Sequence, residues 1–165
     1  MDRPCIAIIG SFRKHNAIVQ KASLIFRNAG IIVSSPIGEN IIDKNIPFVR
    51  FTSDAHDWSD PSIQSLALHR ILRAQLVYVI APAGYVGRTT CYEIGRIVQA
   101  NKPIYFSEKP DDLPIFVPNE FVVNPDVLAE FINTPGWIPV PLYRDCHDFC
   151  AQLERELQSG TYRQD

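Results

Sequence analysis

The chain has 165 residues, 46% of them hydrophobic and 21% charged, with a formal net charge of -2, which fits one soluble globular domain. That charge gives no electrostatic reason to expect DNA, RNA or an acidic membrane as partner. No apolar run approaches the roughly 20 residues of a membrane span.

Met1-Asp2-Arg3-Pro4 leads almost at once into a strand, which argues against a signal peptide and for a cytoplasmic address. The first strand is Cys5-Ile6-Ala7-Ile8-Ile9, a continuous apolar run of the kind buried on both faces. Gly10-Ser11 ends it. A helix follows, with Ile18, Ala22, Ile25, Phe26 and Ala29 at helical spacing and Gly30 as its stop. Ile31-Ile32-Val33 is the second strand. Residues 35–60 read as irregular, with Pro36, Gly38, Asn40, Pro47 and the aspartates Asp43, Asp54, Asp57 and Asp60, and a short strand at Phe48-Val49-Arg50-Phe51.

Asp60-Pro61 opens the second helix, Asp60 as N-cap and Pro61 at the first helical position, with Ile63, Leu66, Ala67, Ile71 and Ala74 as the buried stripe. Leu76-Val77-Tyr78-Val79-Ile80 is the third strand, residues 89–101 the third helix, and Lys102-Pro103-Ile104-Tyr105-Phe106 the fourth strand. Either Ile115-Phe116-Val117 or Phe121-Val122-Val123 supplies a fifth. Pro125 to Phe131 and Asp145 to Leu157 are helical, and the tail after Ser159 is frayed. Strands alternating with helices predict a single α/β three-layer domain spanning 1–165, built on a parallel five-stranded sheet of flavodoxin-like (Rossmann-like) order.

Cys5, Cys91, Cys146 and Cys150 read as reduced thiols. Cys146 and Cys150 are i,i+4 neighbours on a predicted helix with His147 between them, a spacing that lacks the paired C-x-x-C clusters of structural zinc. Neither a metal nor a cofactor is expected.

Two segments carry the chemistry. Gly10-Ser11-Phe12-Arg13 joins a strand to a helix and offers backbone N–H groups, a hydroxyl and a guanidinium to an anion, most naturally a phosphate. The same residues also suit a plain turn, with Ser11 as a cap and Arg13 as a solvated charge. The second segment runs from Pro82 through Gly84-Tyr85-Val86-Gly87 and Thr89-Thr90 to Glu93, at a junction that faces the ligand crevice of a parallel sheet. Gly84 and Gly87 mark a backbone that passes close to something, and Tyr85 can stack on a planar ring. Glu93, near a helix start where the dipole favours its ionised form, suits a nucleophile. Thr90-x-x-Glu93 equally fits a capping box.

In this order the pieces resemble the nucleoside 2-deoxyribosyltransferase family and its relatives, the deoxynucleoside 5′-monophosphate N-glycosidases. The resemblance runs from Cys5 to about Ser107, and Glu93-Ile94-Gly95 and Lys102-Pro103-Ile104 extend its motifs. It implies that the glutamate at Glu93 attacks the anomeric carbon and leaves a glycosyl-enzyme, which water or a second base resolves. It further implies that Gly10, Ser11, Phe12 and Arg13, with Thr89 and Thr90, hold the sugar or its 5′-phosphate, and that the chain forms a homodimer or larger ring. One position departs from the family: an aspartate on the helix before the third strand is replaced by the Ala67-Leu68-His69 region. His69, or Asp57 or Asp54, would then supply the acid.

The leading reading is cleavage of the N-glycosidic bond of a nucleoside or nucleoside 5′-monophosphate, by hydrolysis or deoxyribosyl transfer. A cytokinin-type phosphoribohydrolase is a second reading, on the glycine, threonine and glutamate motif. A non-catalytic nucleotide-binding module is the third. All three take a small nucleoside or nucleotide as ligand, with no nucleic acid or membrane.

Overall fold

The computed structural model describes residues 3–37 and 50–164. Its strands and helices run in the order β1 (Cys5–Gly10), α1 (Phe12–Asn28), β2 (Ile32–Ser35), α2 (Asp60–Arg73), β3 (Leu76–Ile80), α3 (Arg88–Gln99), β4 (Ile104–Phe106), α4 (Pro125–Asn133) and α5 (Phe149–Ser159). All strand pairs are parallel, in the order β2-β1-β3-β4. The fold is α/β, and this order is that of a flavodoxin-like sheet with four strands.

The central strands explain the architecture. Ile6 to Ile9 and every residue of β3 are buried, so both faces of the sheet must be covered, as continuous apolar runs require. Helix α1 packs with α4, and α3 with α5. Phe26 of α1 meets Tyr78 of β3 edge-on at 5.4 Å, joining helix and sheet through a favourable aromatic geometry. Val19, Ala22, Ser23 and Phe26 are the buried face of α1, a spacing of three and four residues.

Several sequence expectations are corrected. The sheet has four strands among the described residues, not five. Phe121-Val122-Val123 comes closest to a fifth: Val122 makes one parallel bridge to Phe106, and the Val123 amide donates to the Phe106 carbonyl at 2.8 Å. The 3-10 turn at Asn119–Phe121 before Val122 and helix α4 from Pro125 after it leave room for a single pair. Helix α2 is capped by Ser59, whose hydroxyl accepts from the Ser62 amide, and Asp60 sits one residue later, bound to Arg50 at 2.5 and 2.8 Å. The buried residues of α2 are Ile63, Leu68 and Ile71 rather than a stripe through Leu66. Helix α5 starts at Phe149, capped by Asp148, which leaves Cys146 outside it. In the tail, Arg163 clasps Glu156 at 2.7 and 2.8 Å. Of the short strand expected at 48–51, Phe48 and Val49 lie outside the described residues, as do Gly38, Asn40, Asp43 and Pro47. No helix among the described residues is long and apolar enough to cross a membrane.

Tyr78 tests how the far edge is attached. Its buried hydroxyl donates to the Val123 carbonyl at 2.8 Å, and burial raises its pKa well above the usual phenol range. Tyr78→Phe strands that carbonyl, so unfolding in urea is expected to show a loss of about 1 kcal/mol with an unchanged m-value.

Candidate functional site

The carboxyl ends of β1 and β2, the loop after β3 and the inner face of α2 enclose a cleft of about 180 Å³. At its base lies Glu93. Helix α3 begins at Arg88 behind Gly87 as N-cap, with no side-chain cap. Thr90 is therefore already inside the helix, so the capping-box account of Glu93 does not describe this helix start. Glu93 falls in the second turn and is 6% exposed. Its Oε1 accepts a hydrogen bond from Nε2 of Gln64 at 2.9 Å.

The expectation that the helix dipole keeps this carboxyl ionised is corrected by burial. The dipole typically contributes about 1 kcal/mol or less and fades beyond the first turn. Desolvation pushes the Glu93 pKa up to about 7, with the Gln64 hydrogen bond pulling the other way. Near neutral pH the group is thus divided between carboxylate and acid, with a donor already placed for the charged form.

Around Glu93 the cleft gathers most of the residues singled out in the sequence: Gly10, Ser11, Phe12, Arg13, Tyr85, Gly87, Thr89 and Thr90. Ser11 lines the cleft and precedes α1 without making a side-chain capping bond. Gly10 has a structural reason of its own. A Cβ there would lie 2.9 Å from the Ile80 carbonyl oxygen, so the glycine lets β1 and β3 pair to their last residues. The first turn of α1 is offset from the rest by non-helical angles at His15. It is held by Phe12 edge-on to Phe51 at 5.1 Å and by Lys14 Nζ 3.7 Å over the Tyr85 ring.

The loop glycines serve the loop. Gly84 has φ +74 and does not line the cleft; an added Cβ would lie 2.5–2.8 Å from the Asp111 side chain. Gly87, at φ +81, lies under the Tyr85 hydroxyl. Amides of this loop are already engaged: Ala81 with Ser107, Ala83 with Glu108, and Val86 and Gly87 with Asp112. Hence the close approach read from Gly84 is to the 107–112 segment, and the Val86 and Gly87 amides point there rather than at a ligand.

Neither His69 nor Asp57 lines the cleft. His69 lies two residues beyond the cleft-lining Ala67, about 200° further round the helix. It is exposed, in a shallow depression with Trp58 and Leu66. Asp57 is an exposed turn residue. Asp54 does reach the cleft, with its carboxylate accepting from the Phe51 amide at 2.7 Å.

Gln64, Arg70 and Arg88 are cleft residues that the sequence reading missed. Gln64 and Arg70 sit near Ala67 at helical spacing, so the signal was present once the rotation of α2 was fixed. All four cysteines are free, and no group of three or more His, Cys, Asp or Glu among the described residues is placed to hold a metal ion. Comparison with protein-family models, curated proteins and solved structures gives no match.

The buried carboxyl has a thermodynamic signature. Because folding raises the Glu93 pKa from 4.5 to about 7, the folded state holds this proton more tightly than the unfolded state. Its cost to stability is absent below about pH 4.5, grows as pH rises, and is complete above about 7. Glu93→Gln keeps an oxygen for Gln64 and removes the charge. Thermal unfolding is expected to show the variant more stable than wild type at pH 8, by up to about 3 kcal/mol, with the difference vanishing near pH 4.

Proposed function

We propose that the protein cleaves the N-glycosidic bond of a nucleoside or nucleoside 5′-monophosphate, with Glu93 as nucleophile. The observation that carries this reading is a buried carboxyl at the base of a cleft, poised near neutrality and held by Gln64, facing a hydroxyl- and arginine-bearing turn. Such a carboxylate suits an electrophilic C1′: it stabilises an oxocarbenium-like transition state and then bonds to the carbon, splitting one hard displacement into two. Gln64 fixes the carboxyl by its hydrogen bond, leaving the other oxygen for attack.

The β1–α1 turn supplies the anion site of this reading. Ser11 and Arg13 receive the 5′-phosphate, with Thr89 and Thr90 at the start of α3 as further donors. Tyr85 lies against the sugar. The resemblance to the nucleoside 2-deoxyribosyltransferases points to the same chemistry, and with it to a homo-oligomer. His69 and Asp57 have no part in the proposal, since both lie outside the cleft.

Base release, followed by chromatography over a panel of nucleosides and monophosphates, is the direct test. Glu93→Gln should abolish release while still binding nucleotide, and a 2′-fluoro analogue should leave an adduct on Glu93. Binding without release by the wild-type protein would instead identify a nucleotide-binding module. Since the attacking form is the carboxylate, kcat/KM is expected to rise about tenfold per pH unit up to about 7 and then level. Gln64→Leu removes a bond that favours the ionised form, so its midpoint should move to higher pH.

The phosphate site has its own measurement. Arg13→Ala should reduce the preference for a monophosphate over its nucleoside by roughly ten- to a hundredfold, the loss of a charge-assisted hydrogen bond. The nucleoside itself should react at the wild-type rate. Equal losses for both substrates would remove Arg13 from phosphate recognition.

A further inference from the structure

The cleft around Glu93 is divided by chemistry. Toward the β1–α1 turn and the start of α3 it offers hydroxyls and cations: Ser11, Arg13, Arg88 and Thr89. Toward the end of β2 and the inner face of α2 it is more apolar, with Pro36, Ile37, Ile63 and Ala67 beside the polar Ser35 and Gln64. Among the described residues that side holds one cation, Arg70. The Ser34 hydroxyl donates to the Arg70 carbonyl at 3.4 Å, which ties this turn of α2 to β2.

Arg70 is half-buried and has no carboxylate partner among the described residues. Other arginines of the chain are engaged: Arg50 by Asp60, Arg155 by the Tyr143 and Cys146 carbonyls, and Arg163 by Glu156. A guanidinium held against an apolar wall is costly to leave without acceptors, and it carries five donors and no acceptor. Asp54, also on the cleft, already accepts the Phe51 amide.

A nucleotide with its phosphate at Ser11 and Arg13 and its C1′ at Glu93 places its base in the apolar half. Rupture of the N-glycosidic bond drives negative charge onto that base. With His69 and Asp57 outside the cleft, something else must meet that charge. We propose that Arg70 is a catalytic residue that hydrogen-bonds the departing base, and that the base is a 6-oxopurine, guanine or hypoxanthine. The inference rests on the reading that Glu93 attacks C1′.

The step balances without a protein acid. A Glu93 oxygen bonds to C1′ as the C1′–N9 bond breaks, and the electron pair goes to the purine. Arg70 stabilises the anion through O6 and N7, two adjacent acceptors that match the guanidinium fork. The purine takes a proton from water, and the hydroxide so formed hydrolyses the glycosyl ester and restores the carboxylate. Adenine presents an amino donor where O6 would be, against a group that can only donate.

Base release from the monophosphates of guanine, hypoxanthine, adenine and 7-methylguanine tests this, in wild type, Arg70→Ala and Arg70→Lys. Wild type should favour guanine and hypoxanthine over adenine. Arg70→Ala should lower kcat on both by roughly ten- to a hundredfold. It should change kcat on 7-methylguanine by less than about threefold, because that base departs neutral and needs no stabilised anion. Free guanidinium should restore part of the Arg70→Ala loss, and Arg70→Lys, which keeps the charge, should fall between. Equal losses on all four substrates, or adenine as the preferred base, would overturn the role of Arg70 and leave Glu93 standing as nucleophile. No release of these four bases by a wild type that releases a pyrimidine would overturn the role of Arg70 alone, and no release from any purine or pyrimidine nucleoside or monophosphate would overturn both.

Discussion

Where β1 and β3 end side by side, the Gly10 Cα faces Ile80 with no room for a side chain: a Cβ would sit 2.9 Å from the Ile80 carbonyl oxygen. Two of the segments that build the cleft leave the sheet from this pair. One becomes the Ser11–Arg13 turn and α1, the other the 81–87 loop and α3. A larger residue at position 10 would part the strands at their carboxyl ends and move the two walls of the cleft independently. The parallel register, Gly10 opposite Ile80, therefore sets the distance between the β1–α1 turn and the helix that carries Glu93. In an open parallel sheet this is where ligands are expected, because only the loops beyond the strand ends are free of packing duties.

The second constraint lies on the opposite side of the same loop. Ser107, Glu108 and Asp112 accept hydrogen bonds from the Ala81, Ala83, Val86 and Gly87 amides, and the Asp111 amide donates back to the Gly84 carbonyl at 2.9 Å. Gly87 has no side chain to cap α3, and Asp112, on the segment after β4, accepts instead from the Val86 and Gly87 amides just ahead of the helix. The acidic segment acts as an internal anion on a loop whose backbone would otherwise offer itself to a ligand. What the loop presents to the cleft is then side chain rather than amide: Tyr85, braced by Lys14, and the residues at the start of α3.

Strands and helix existence were legible because burial on two faces leaves a continuous apolar run, as in Ile6-Ala7-Ile8-Ile9, and because Gly30 marks a left-handed stop with φ +80. Boundaries and rotations were less so. Ser59 and Asp60 are both good caps, and which one takes the role depends on backbone angles that the pattern does not carry. Gly87 displaced Thr90 for a similar reason. The choice between Leu66 and Leu68 as the buried residue decides whether Gln64 and Arg70, or His69, face the cleft. Both leucines are apolar at helical spacing from other apolar positions, so periodicity alone leaves this rotation open. The fifth strand was overread from Phe121-Val122-Val123, whose apolar character is used instead by Phe121 packing on Tyr105 at 5.2 Å.

Glu93 and Gln64 show why a carboxyl in such a place is informative. A protein selecting for stability alone would fill that position with an apolar side chain, since burial raises the group to about 7 against one compensating hydrogen bond. The cost is tolerated where a titrating group has work at neutral pH. The neighbouring cleft is consistent with that: Ser11 makes no cap, and Arg70 and Arg13 have no carboxylate partners among the described residues. Three polar groups without such partners line the same cleft as one that is costly to bury, which is what the proposed nucleotide, anionic at one end and planar at the other, would engage.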